Sequence, residues 1–275
     1  MVINGRTKVY GIIGNPVTHS LSPLMHNRAF AACKENRVYI PLPTADLHAA
    51  VEGLKAMHID GASVTIPFKQ QVIDLLDEVD PVAARIGAVN TVLVKRERNE
   101  ARLFGTNTDW LGSNRAILDH MELHGSRAVI LGAGGAARGI GFGLLEAGAT
   151  VEIKSRSQAK GRLLAKQLDC GWSPLDEPPE QETTILINAT SVGMEPDSKA
   201  SPIEQRLLDG YRVIMDIVYA PLQTQLLKDG ATRGCICING LEMLLYQGVA
   251  QFELWTGLEA PVEVMRQAML DAVAS

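Results

Sequence analysis

The feature that most constrains this chain is a glycine-rich turn set between an apolar strand and a helix. Residues 128–131 read as a short strand. Gly132-Ala133-Gly134-Gly135-Ala136-Ala137 follows, and a helical stretch runs on to Ala147, closed by Gly148. The spacing fits G-x-G-x-x-G/A. In such a turn the first glycine permits the tight bend and the second lets the backbone approach a pyrophosphate. The small Ala137 lets helix and strand pack closely. The helix N-terminus supplies N–H donors and positive dipole for phosphates. A glycine-rich turn also occurs without a ligand, so the surrounding pattern matters. Strands at 150–154, 185–188, 213–216 and 235–238 alternate with helices at 158–168 and 226–233, the mark of a parallel sheet with helices on both faces.

The strand after the turn ends in Lys154-Ser155-Arg156-Ser157, with Lys160 one turn into the next helix. An NAD site usually has Asp or Glu here to hold the ribose 2′-hydroxyl. A guanidinium instead suits a 2′-phosphate, and Lys160 adds a second positive charge. Cations at a helix start oppose its dipole, so a merely solvated basic cluster is the less comfortable reading. NADP is the expected cofactor.

The N-terminal part reads as strands at 9–13, 38–42 and 62–66, with helices at 22–33, 46–57, 70–77 and 81–86. Ser22 is expected to cap the first helix, with Pro23 at its first position. Residues 89–94 and 102–105 suggest a hairpin whose turn is the charged segment 95–100. Asp109 opens a helix to about His120, and 174–182 is an acidic, proline-rich loop. After Gly240 the chain is helical, broken at Thr256-Gly257 and restarted at Pro261.

Composition narrows the class. A length of 275 residues suits two modest domains. The net charge of -5 argues against a nucleic-acid partner. No apolar run reaches membrane-spanning length, and residues 1–8 lack a signal peptide's apolar stretch. Cys33, Cys170, Cys235 and Cys237 contain no Cys-x-x-Cys pair, and a reduced, cytoplasmic protein is expected. The histidines show no metal-ligand spacing, so no metal is expected.

Oxidising an alcohol removes a hydride and a proton, so a site for it needs a base beside the hydroxyl. Three segments outside the glycine-rich region offer suitable groups. Ser20 and Ser22 can point together at a small anion, Thr65 and Lys69 bracket a strand end, and Asp109 lies in Asn107-Thr108-Asp109. By spacing alone each has a plain structural reading as cap, turn or solvated charge.

Taken in order, these segments resemble the shikimate dehydrogenase family. The match starts near residue 8 and runs to the end: Ser20-Leu21-Ser22-Pro23; Val64-Thr65-Ile66-Pro67-Phe68-Lys69; Gly87-Ala88-Val89-Asn90-Thr91; Gly105-Thr106-Asn107-Thr108-Asp109; Gly132 to Ala137; Asn188-Ala189-Thr190-Ser191-Val192-Gly193-Met194; Asp216-Ile217-Val218-Tyr219-Ala220-Pro221; and Gly240-Leu241-Glu242-Met243-Leu244 with Gln247 and Trp255-Thr256-Gly257. Each is weak alone, but eight in family order are specific.

The resemblance implies an α/β fold of two domains with a cleft between them. Residues 1–107 plus 240–275 would form a substrate domain with a mainly parallel sheet, and 108–239 a Rossmann-type NADP domain. It implies reversible reduction of 3-dehydroshikimate to shikimate by NADPH, in aromatic amino-acid biosynthesis. Lys69 and Asp109 would do the acid–base work, Lys69 either as proton-transfer base or as stabiliser of the developing alkoxide. Ser20 and Ser22, with Tyr219, would hold the substrate carboxylate, and Thr65, Asn90, Asp109 and Gln247 the ring hydroxyls. Cofactor contacts would come from Gly132, Ala133, Gly134, Gly135, Ala136, Ala137, Ser155, Arg156, Ser157, Lys160, Thr190 and Gly240. A homodimer is the assembly considered. The alternatives are a quinate/shikimate enzyme using NAD as well, and a non-catalytic sensor on the same fold. Four positions depart from the family's common residues: Ser155 and Ser157 flank Arg156 where Asn and Thr are usual, Lys160 stands for Arg, and Trp110 stands where glycine is frequent.

Overall fold

A computed structural model describes residues 3–97, 100–178 and 183–274. The chain divides into two compact units, Met1–Thr108 with Gln247–Ser275, and Asp109–Tyr246.

The first unit opens with β1 (Lys8–Gly14), α1 (Ser22–Ala32), β2 (Arg37–Pro43), α2 (Leu47–Ala56) and β3 (Gly61–Val64). A 3-10 turn (Gln71–Leu75), β4 (Glu78–Val79), α3 (Pro81–Ile86), β5 (Thr91–Glu97) and β6 (Glu100–Thr106) follow. The sheet order is β2-β1-β3-β5-β6-β4. β1 runs parallel to β2 and β3, β5 antiparallel to β3 and β6, and β4 parallel to β6. Every residue of β3 is buried, as expected of a central strand covered on both faces. Ile13, Val51, Leu54, Val64, Val72 and Leu103 belong to one apolar cluster. Elsewhere in this unit an aromatic group joins Tyr10, Phe30, Tyr39 and Trp255 around His26. The His26 ring stacks on Tyr39 at 4.6 Å, and burial pulls its pKa down to about 3, so the imidazole is neutral. A Cβ on Gly61 would meet Trp255 Nε1 at 2.6 Å; the glycine lets the indole lie close and donate to the Val92 carbonyl.

Local structure departs from the sequence expectation in four places. Leu21, not Ser22, is the cap residue of α1, and no side chain caps that helix. The segment after Gln70 is a 3-10 turn rather than a longer helix. It ends where the Asp77 carboxylate accepts the Leu103 N–H at 2.7 Å and draws the chain into the short β4. The hairpin pairing runs through the charged residues, Lys95 opposite Arg102 and Glu97 opposite Glu100, because backbone pairing needs no apolar side chain. Gly171–Ser173 forms an additional strand.

The second unit contains α4 (Asp109–Leu118), β7 (Arg127–Leu131), α5 (Gly135–Glu146), β8 (Thr150–Lys154), α6 (Gln158–Leu168), β9 (Gly171–Ser173) and β10 (Ile185–Asn188). A 3-10 turn (Gln205–Leu208), β11 (Val213–Asp216), α7 (Gln225–Thr232), β12 (Ile236–Ile238) and the first residues of α8 (Gly240–Thr256) follow. The sheet is parallel throughout, in the order β12-β11-β10-β7-β8-β9. Every residue of β10 and β11 is buried, which explains their uninterrupted apolar runs. Trp110 meets Phe142 edge-on at 6.0 Å, so its bulk packs α4 against α5. Met243 and Tyr246 pack in this unit's core, and the division falls inside α8. The last helix, α9 (Val262–Ala274), lies in the first unit and packs on α1. Among the described residues no helix is long and apolar enough to cross a membrane.

Candidate functional site

In the second unit the chain leaves β7 for β8 and β9 on one side, then returns to place β10 on β7's other side. The order therefore reverses between β7 and β10. Ligands of open parallel sheets bind outside the carboxyl ends of the strands at such a point. The glycine turn leaves β7 there. Gly132 has φ +115°, and a Cβ on it would stand 3.0 Å from the Ala189 carbonyl oxygen and from Thr190 Cγ2. The turn after β10 thus packs directly on the glycine turn. Thr190 is pinned by Asn188, whose Oδ1 accepts from the Thr190 N–H and hydroxyl at 3.0 and 2.6 Å.

Gly134 is the opposite case. Its φ is −92°, it is exposed, and a Cβ there would meet nothing within 4 Å. The open face lies at the N-terminus of α5, whose first turn has neither a side-chain cap nor an acidic residue. Ala137 is buried against the sheet. A bent turn, an open backbone face and an uncapped helix start fit a pyrophosphate.

Beyond β8 the side chains separate into two sets. Lys154 is fully buried, and its Nζ donates to Ser173 Oγ at 2.6 Å and the Glu177 carbonyl at 2.8 Å, with Glu152 at 3.3 Å. It fastens the segment after β9 and is no part of the surface charge. Ser155 is buried as well, accepting from Trp172 Nε1 at 3.0 Å. The Ser157 hydroxyl caps α6 by accepting the Lys160 N–H. Arg156 and Lys160 are exposed. They are the cations this strand end presents to solvent.

At the ends of β11 and β12, Asp216 accepts from Asn188 Nδ2 (2.9 Å), the Val218 N–H (3.0 Å) and the Thr224 hydroxyl (2.7 Å). Burial pushes its carboxyl up to about 6, against those three donors. The Ile217–Val218 turn that this network shapes carries Tyr219 and lies against Gly240, where a Cβ would be 2.5 Å from the Ile217 carbonyl oxygen. Tyr219 is half-buried, and burial raises its phenol.

In the first unit the candidate residues share one edge of the sheet. Ser20 and Ser22 follow β1, and Thr65 and Lys69 follow the parallel β3. Antiparallel β5 starts at that same edge, so Asn90 stands beside Val64, whose N–H donates to its carbonyl at 2.8 Å. β6 ends there too, bringing Asn107 and Thr108. The Ser20 hydroxyl accepts the Ser22 N–H at 3.3 Å, which draws the two serines together, and Ser22 is buried. A Cβ on Gly14 would stand 2.3 Å from Thr65 Cγ2, so this glycine lets the turns after β1 and β3 meet. The Lys69 carbonyl accepts the Val89 N–H at 2.7 Å, holding a half-buried lysine beside the turn that carries Asn90. Gln247 is buried on α8. Asp109, buried, belongs to the second unit, as the first residue of α4.

Two residues that help organise these edges were not singled out from sequence, Thr224 and Gln251. Gln251 carried one usable signal, its place one helical turn beyond Gln247. No cluster that could hold a metal ion occurs among the described residues.

Comparison with known proteins agrees with this architecture. Residues 12–92 match the family model of the shikimate dehydrogenase substrate binding domain. Residues 240–270 match that of the shikimate 5'-dehydrogenase C-terminal domain. The NADP-dependent shikimate dehydrogenase of Pyrococcus furiosus is 45% identical, covering 98% of this chain and 97% of its own. That of Moorella thermoacetica is 42% identical, covering 99% and 96%. A shikimate dehydrogenase crystallised with NADP+ superposes with a TM-score of 0.93 at 38% identity, covering 100% of this chain and 98% of its own. The Thermus thermophilus enzyme with NADP(H) and shikimate gives 0.87 at 36%, covering 97% and 100%. With such identity over nearly its whole length, the chain belongs to the shikimate dehydrogenase family.

Proposed function

We propose that this protein is an NADP-dependent shikimate dehydrogenase, reducing 3-dehydroshikimate to shikimate reversibly in aromatic amino-acid biosynthesis. The observation that carries the reading is the open Gly134 face at an uncapped helix start, with Arg156 and Lys160 exposed beyond the next strand and no carboxylate in that segment.

Bound NADP supplies the hydride acceptor or donor. The protein's own groups handle the rest. The Gly132–Ala137 turn and the start of α5 hold the pyrophosphate, Arg156 and Lys160 the 2′-phosphate, with Ser155 and Ser157 shaping that strand end. Thr190 and Gly240 border the nicotinamide. Ser20 and Ser22 donate hydroxyl hydrogen bonds to the substrate carboxylate, assisted by Tyr219. Thr65, Asn90, Asp109 and Gln247 hold the ring hydroxyls. Lys69 and Asp109 manage the proton that leaves the carbinol oxygen as hydride leaves its carbon. Residues 1–107 with 240–275 serve the substrate and 108–239 the cofactor. The protein acts in the cytoplasm as a homodimer without nucleic acid, in line with its net charge of -5.

The test is spectrophotometric. Shikimate with NADP should give reduced nicotinamide at a far higher kcat/KM than quinate or NAD. Equal rates with quinate and NAD would favour the broader quinate/shikimate reading, and no turnover with any pair would remove the enzymatic one.

A further inference from the structure

Behind the substrate edge of the first unit lies a buried chain of polar side chains that the proposed mechanism does not use. Gln251 is 1% exposed, and its Nε2 donates to the Asn90 carbonyl at 3.2 Å and to Thr91 Oγ1 at 2.9 Å. A backbone carbonyl only accepts, so this contact fixes which end of the Gln251 amide faces β5. Its Oε1 therefore faces Ser63, whose hydroxyl donates to it at 2.8 Å. With that proton committed, Ser63 accepts from the Tyr39 hydroxyl at 2.6 Å. Toward the other end, Thr91 accepts from Gln251 and donates its own proton to Asn90 Oδ1 at 2.7 Å. The Thr108 N–H donates to the same oxygen at 2.8 Å, and Asn90 Nδ2 donates to Thr108 Oγ1 at 3.0 Å.

Every link points one way, and the direction is set by groups with no freedom to reverse, the Asn90 carbonyl and the Thr108 N–H. An asparagine amide can otherwise turn over and exchange donor for acceptor. Here its oxygen is taken by inward donors and one Nδ2 hydrogen by Thr108 Oγ1, so what the amide offers a ligand oxygen is donation from its nitrogen, not acceptance. We infer that Ser63, Thr91 and Gln251 are positioning residues: a directional hydrogen-bond chain from Tyr39 to Asn90 that locks Asn90 as a donor and so selects a substrate oxygen at that place. The inference rests on the assignment of Asn90 to substrate proposed above. A site built around a fixed buried donor penalises an analogue that lacks the matching oxygen, because the donor is left unpaired.

Thr91→Val keeps the side-chain shape and removes the link; Thr91→Ser keeps the hydroxyl. Steady-state kinetics of the full-length enzyme should show shikimate KM raised about five- to tenfold in Thr91→Val, as expected for one lost hydrogen bond. Its kcat should stay within about twofold and its NADP KM should not move. Thr91→Ser should restore the shikimate KM. An unchanged shikimate KM in folded Thr91→Val, or equal impairment by Thr91→Ser, overturns the inference. If Thr91→Val does not fold, Gln251→Met and Ser63→Ala are read by the same KM-against-kcat split. Failure of all three to fold would make the chain a folding element and overturn the positioning role. Asn90→Ala separates the two levels. If it leaves shikimate KM unchanged, the substrate assignment itself falls; if it raises KM while Thr91→Val does not, only the inference falls.

Discussion

Asn188 at the end of β10 donates its side-chain amide to Asp216 at the end of β11, 2.9 Å away. The bond ties together the turns after two neighbouring parallel strands, one packed on the glycine turn and the other on Gly240. Asp216 is also the buried carboxyl whose pKa is pushed up to about 6 from its ordinary 3.8. Where the folded value lies above the unfolded one, the folded state holds the proton longer. Its contribution to stability is then full below the unfolded pKa and is lost as pH rises through the folded one. Relative to Asp216→Asn, the wild type should therefore lose about 3 kcal/mol between pH ~4 and pH ~6. Asparagine keeps one acceptor oxygen, and its nitrogen can donate to Thr224, so that variant should fold. Denaturant unfolding of both proteins across this range checks it, and parallel curves would contradict it.

The two glycines of the turn should respond oppositely to alanine. Gly132→Ala forces a side chain into a left-handed backbone and against the Ala189 carbonyl, and should cost about 1–3 kcal/mol. Gly134→Ala meets no neighbour, so its melting temperature without ligand should not change. Its NADP Kd should nevertheless rise about tenfold or more, because the added methyl stands where the pyrophosphate approaches. Calorimetric titration and thermal melts separate the effects; unaltered NADP affinity in Gly134→Ala would remove the cradle.

Arg156 is exposed beyond β8, while Lys154 is turned inward onto Ser173 and Glu177. Arg156→Ala should raise the NADP KM roughly tenfold and leave the NAD KM within about twofold. Lys154→Ala should lower the melting temperature, since it strips a buried anchor from the segment after β9. An equal effect of Arg156→Ala on both cofactors would contradict the 2′-phosphate assignment.

Lys69→Ala should lower kcat by about 10²–10⁴ with little change in shikimate KM, the signature of a group acting on the proton or the developing alkoxide. Rapid-quench or steady-state rates with unchanged thermal stability are the measurement. A kcat equal to wild type would exclude Lys69 from the chemistry.

What the sequence determined by itself is the local grammar. The period-2 and continuous apolar runs of β7, β8, β10 and β11, the glycines at 132 and 134, and Asp109 at the head of α4 are written in short windows, where propensity and backbone sterics act. The tertiary structure decided what depends on partners distant along the chain. Ser22 reads locally as a helix cap, yet the cap position is Leu21. Lys154 reads as one more surface cation beside Arg156, yet it is buried because Ser173, Glu152 and the Glu177 carbonyl wait for it. Thr224 reaches Asp216, and Gln251 reaches Thr91 across 160 residues. A hydrogen bond's direction follows from which donors and acceptors meet in space, and no local pattern of residues carries that information.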